Sequence, residues 1–181
     1  MQVTVDTRNP ARRTADLLAL PLTQLDPSHW RLPPRMAGVD RAAGGAILSL
    51  LGTGDFRGKR GETLVLYPQS GIGAKRVLLV GLGEENRVDA EVLREAAGIA
   101  VRATAERKGK TLAIVAPASR RVRVAAMTQA MAEGAILAGY RFDRYRSRRE
   151  STPAEVRSVA ILQEKGAELR AARAAASVGV S

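Results

Sequence analysis

Three short aliphatic runs constrain this fold more than any other feature of the chain. Leu17-Leu18-Ala19-Leu20, Val77-Leu78-Leu79-Val80 and the stretch from Lys110 to Ala116 are each as long as a strand, and the residues within each run are apolar almost without alternation. Strands of that kind are covered on both faces. Between them lie residues at helical spacing: Val39, Ala42, Ala43, Ala46, Ile47, Leu50 and Leu51; then Val92, Ala96, Ile99, Ala100 and Ala103; then Val124, Met127, Met131, Ala135 and Ala138. Each set lays one apolar stripe along a helix. Strands alternating with helices through most of the length define an α/β fold, with a mixed, largely parallel sheet between helical layers. At 181 residues, one domain with a substantial core is the expectation.

The punctuation refines this reading. Gln2 to Thr7 alternates Val3 and Val5 with polar residues, as a strand covered on one face does. Ala15 to Leu22 reads as a buried strand closed by Pro21, and 26–34, with three prolines, reads as an irregular connection. A single helix runs from Met36 to Leu51 and is ended by Gly52. Gly54 to Gly61 is a charged, glycine-rich loop leading into a strand from Glu62 to Tyr67. Asp89 is placed as the N-cap of the second helix and Ser119 as that of the third. Val156 to Leu162 supplies one more strand, and Glu164 to Ala176 a last helix.

Composition narrows the function classes. There is no cysteine, which removes disulfides and thiolate metal sites and fits a reducing compartment. No stretch approaches the roughly 20 apolar residues of a membrane helix, so the chain is read as soluble and cytoplasmic. The net charge of +11 would attract polyanions. Its arginines are also scattered over helices and loops, as on a basic solvated surface.

Candidate sites are few. Gly71-Ile72-Gly73 and Gly81-Leu82-Gly83-Glu84 resemble phosphate-binding turns, but neither completes Gly-x-Gly-x-x-Gly, and Glu84-Glu85 would repel a phosphate. They read as turns at strand ends. His29 is the only histidine, which leaves no basis for a histidine metal site or a Ser-His-Asp arrangement. Asp55 and Glu84-Glu85 stand at no ligand spacing with other donors. Arg141, Arg144, Arg146, Arg148 and Arg149, with Phe142 and Tyr145 among them, have the composition of a nucleic-acid contact. The structural alternative, aromatics pinning a helix end and arginines facing solvent, is preferred. No residue is therefore expected to be catalytic, cofactor-binding or metal-binding.

Three blocks carry a family resemblance. Gly54-Asp55-Phe56-Arg57-Gly58-Lys59-Arg60-Gly61-Glu62, then Arg76-Val77-Leu78-Leu79-Val80-Gly81-Leu82-Gly83, then the stretch from Ala132 to Tyr145 resemble, in order and spacing, the N-terminal domain of the leucyl (cytosol) aminopeptidases. The resemblance implies a macro-domain-like α/β fold over residues 1–181, followed in the family by a larger catalytic domain. There, two divalent ions, zinc or manganese, held by a lysine and several carboxylates, activate a water that attacks the first peptide bond. The identifying stretch Asn-Thr-Asp-Ala-Glu-Gly-Arg does not occur in this chain, so no catalytic residue carries over. The expectation is an excised, non-catalytic domain whose partners are its own C-terminal catalytic domain and the other subunits of a homo-hexamer, the full-length enzyme acting on peptides. DNA binding, a use implied by some bacterial members, is the alternative. An ADP-ribose-like ligand in the macro-like fold is a weaker third.

Overall fold

The computed structural model describes residues 1–24, 31–119, 121–144, 155–166 and 169–178. Six strands, β1 (Gln2–Asp6), β2 (Leu17–Thr23), β3 (Thr63–Leu66), β4 (Val77–Gly83), β5 (Thr111–Val115) and β6 (Ser158–Leu162), form one sheet in the order β1-β6-β5-β2-β4-β3. Every neighbouring pair is parallel except β3, which runs antiparallel to β4 at the edge. The helices are α1 (Pro34–Ala42), α2 (Ala46–Thr53), α3 (Ala90–Glu106), α4 (Val124–Arg144) and α5 (Leu169–Val178). The expected mixed, largely parallel α/β sheet between helical layers is the observed one.

The continuous aliphatic runs divide strictly by parity. Leu17, Ala19, Leu78, Val80, Leu112, Ile114, Val159 and Ile161 face one way, into a core shared with α3, α4 and Ala176 of α5. Leu18, Leu20, Val77, Leu79, Ala113, Val115, Ala160 and Leu162 face the other way, onto Met36, Val39, Ile47, Leu51 and Phe56. With two buried faces, both parities must be apolar, which is why these strands do not alternate. Each fully buried leucine contributes about 1.5–3 kcal/mol, and with few aromatics these aliphatic contacts make up nearly all of both cores.

The structure corrects four boundaries. The single helix expected from Met36 to Leu51 is two, because Gly44 and Gly45 adopt φ of +67° and +81° and turn the chain between α1 and α2. The buried Asp40 of α1 then caps α2, its Oδ1 accepting from Ile47 N at 2.9 Å and Leu48 N at 3.0 Å. Pro21 does not close β2. It lies beyond Ala19, where pairing with β5 stops, so its missing N–H interrupts no bond on that side. Ser119 is not the cap of α4: its Oγ accepts from Arg121 N and Val122 N in the turn before the helix. The last helix starts at Leu169 rather than Glu164. Asp89 caps α3 as expected, accepting from Val92 N at 2.9 Å. Among the described residues, no helix is long and apolar enough to cross a membrane.

Candidate functional site

The two glycine-rich blocks meet each other. The loop of 54–62 folds over the carboxyl end of β4, where Gly61 N donates to Gly81 O at 3.0 Å, Gly81 N to Glu62 O at 2.8 Å and Gly83 N to Gly58 O at 2.9 Å. A Cβ on Gly81 would overlap Lys59 O, so the loop's main chain can lie on the strand only because no side chain intervenes. Gly58, at φ +76°, turns the chain inward there. The Glu62 carboxylate accepts from Arg57 N at 3.0 Å and Lys59 N at 2.9 Å, filling with the chain's own acid the concavity that an anion would need. Gly81-Leu82-Gly83 is thus one half of a backbone clasp rather than a phosphate cradle.

The third block builds the crossing of α3 and α4. Gly134 lies so close to Arg94 that a Cβ there would overlap Arg94 O, and Gly98 sits opposite, near Ala138. Arg94 Nη2 reaches Glu133 Oε2 at 2.7 Å and Nη1 pairs with Glu91. Hydrogen bonds from Arg94 and then Gln129 hold the Glu133 carboxyl below the usual carboxylate range. In these blocks Gly58, Gly81 and Gly134 are engaged in close main-chain packing, and the carboxylates of Glu62 and Glu133 in hydrogen bonds within the chain.

Residues that the sequence reading passed over do more than those it singled out. Asp16, just before β2, accepts from Lys75 Nζ at 2.7 Å, Lys110 N at 2.8 Å, and Thr111 N and Oγ1 at 3.0 Å. The Lys75 bond most of all, then the Lys110 and Thr111 donors, keep its carboxyl far below the usual range against the opposing effect of burial. It ties the starts of β2, β4 and β5 together. The signal was present: Asp16, Lys75 and Lys110 each stand within two residues of a central run. At the opposite end of the strands, Arg35 donates to Leu162 O at 2.6 Å. Asp55 and Glu85 take part in turns, and Glu84 pairs with Arg87 at 3.1 Å. Gly71 and Gly73 pack against the main chain of Ala42 and of 12–13. His29 lies outside the described residues, as do Tyr145, Arg146, Arg148 and Arg149; α4 carries the chain as far as Arg144.

Among the described residues, no group of three or more His, Cys, Asp or Glu converges, and Asp16, Asp40 and Glu133 are committed to protein donors. The described residues therefore do not fit the divalent ions implied by the family.

The sheet order and helical layers define a macro-domain-like α/β class. A macrodomain from Trypanosoma brucei, solved in complex with ADP, superposes with a TM-score of 0.68 over 96% of this chain and 68% of its own, at 11% identity, a likeness of fold alone. The profile of the cytosol aminopeptidase family, N-terminal domain, matches residues 31–149. The chain belongs to the cytosol aminopeptidase family, as its N-terminal domain. The probable cytosol aminopeptidase of Protochlamydia amoebophila is 38% identical over 142 residues, which are 77% of this chain and 27% of that protein. A tomato leucine aminopeptidase mutant superposes with a TM-score of 0.74 at 22% identity, over 99% of this chain and 36% of its own. The bottromycin maturation enzyme BotP, in complex with Mn, gives 0.57 at 26% identity over 92% and 29%. The chain spans about a quarter of the length of the curated relatives it matches.

Proposed function

We propose that this chain serves as the accessory, non-catalytic domain of a metal-dependent cytosol aminopeptidase, with the peptide chemistry carried by a C-terminal catalytic domain. The observation that supports this most is the extent of the match: 77% of this chain aligns with 27% of a full-length relative. Within the matched region, the glycine clasp and the α3–α4 crossing use the resembling residues for folding. The domain's role is then assembly, as part of a hexamer, and access to the active sites. The full-length enzyme would use manganese or zinc, act on peptides and work in the cytoplasm, as the family name suggests. The described residues of this chain take no step in that chemistry.

The test is hydrolysis of leucine p-nitroanilide by the purified 181-residue chain with added manganese or zinc. No turnover above buffer is expected, and metal-dependent turnover would refute the assignment. The alternative of a DNA-binding module rests on the net charge of +11 and on the arginine-rich, aromatic composition of 141–149. It requires duplex binding that weakens steeply with salt, and a flat or absent response removes it.

A further inference from the structure

Three arginines converge at the carboxyl ends of β1 and β6, remote from the glycine clasp. Asp6 and Leu162 are register partners at that end. Arg8 reaches Asp6 through Nε and Nη2, each 2.7 Å from Oδ2. Arg13 Nε lies 3.5 Å from the same oxygen, beyond a good hydrogen bond, and is buried with no hydrogen-bond partner. Arg35, in the first turn of α1, donates through Nη1 to Leu162 O at 2.6 Å and through Nη2 to Arg8 O at 3.5 Å, both main-chain carbonyls.

Among the described residues the arginines of this cluster outnumber the acids. Among the described residues, the acids that reach this cluster are Asp6, which shares one carboxylate between Arg8 and Arg13, and Glu164, which is exposed and acts on Arg35 only through its field. The first turn of α1 contributes no acid. Three guanidiniums against two carboxylates leave one positive charge in excess. Burial of Arg35 works against its charged form, so the protein holds a cation there at a cost. A surface arginine needing only solvation would turn outward instead. Open α/β sheets also bind their ligands beyond the carboxyl ends of the strands.

We propose that Arg8, Arg13 and Arg35 form a binding site for an oxyanion, a phosphate or carboxylate group, beside the ends of β1 and β6. Guanidinium donors suit such groups because their forked N–H bonds match two oxygens at once. The site is independent of the aminopeptidase reading and stands or falls separately from it.

The test is an amide-resolved NMR titration of the 15N-labelled chain with sodium phosphate and, separately, sodium acetate, at ionic strength held constant with sodium chloride. The amides of Arg8, Arg13 and Arg35 should shift together and saturate with one midpoint, and comparison of the two salts tells phosphate from carboxylate. Arg8→Ala, at a side chain 66% exposed and so tolerable to the fold, should weaken binding about tenfold or more, as loss of a charge-assisted bond does. Arg60→Ala, on the remote loop, should leave the midpoint unchanged. Non-saturating shifts with both salts, or an Arg8→Ala midpoint equal to that of the parent, would overturn the site.

Discussion

The two faces of the sheet are built to different standards. On one, α3 and α4 are 17 and 21 residues long, cross at Gly98 and Gly134 with main chain nearly touching, and are cross-braced by Arg94 and Glu133. On the other, α1 and α2 have nine and eight residues, are separated by two left-handed glycines, and are joined through the single buried carboxylate of Asp40. The close crossing fixes the geometry of its layer, whereas the broken pair holds its place chiefly through Met36, Val39, Ile47 and Leu51. The first face is therefore expected to act as the frame of the domain and the second as a cover that opens at lower cost.

Substitutions sharpen this contrast. Gly134→Val forces α4 away from α3 and should cost about 4 kcal/mol or more, read as a fall in the urea midpoint. A cost below about 1 kcal/mol would show the crossing to be loose. Asp16→Asn, at the amino edge common to both faces, should cost roughly 3 kcal/mol at neutral pH by breaking a hydrogen-bonded carboxylate network. Because the folded-state pKa of Asp16 is depressed, its contribution is complete above the unfolded value of about 4 and is lost as pH falls below that toward the folded value. Acid unfolding curves of the parent should consequently steepen below about pH 4, and those of the variant should lack that component. Asp40→Ala, on the broken face, removes a helix cap and should cost about 1–2 kcal/mol. The smallest effect is expected at Lys108, the described non-glycine residue with positive φ, at +57°. Lys108→Gly should stabilise by about 0.5–1 kcal/mol.

The frame was more legible in the sequence than the cover. Unalternated aliphatic runs admit few solutions, and the stripes of α3 and α4 continue without interruption, so both appear in the sequence as they do in the fold. The α1–α2 break was hidden because Ala42, Ala43, Ala46 and Ile47 keep helical spacing across Gly44 and Gly45, and periodicity alone cannot register a change of direction. Pro21 misled for a related reason: its effect depends on which neighbouring strand has already ended. In the sequence the glycines of 54–62 and 81–83 read as separate turns, because nothing local shows that the loop returns to β4. Asp16 was legible only as one of three charged residues flanking three runs, a pattern that gains meaning once those strands are neighbours.

Native-state hydrogen exchange of the clasp tests the account most directly, since it asks whether the family-like blocks hold the domain together. The amides of Gly61, Gly81 and Gly83 should exchange only with global unfolding, at the full unfolding free energy, while those of Ala43 and Gly44 between α1 and α2 open at distinctly lower cost. Clasp amides that exchange as readily as the α1–α2 turn would contradict it.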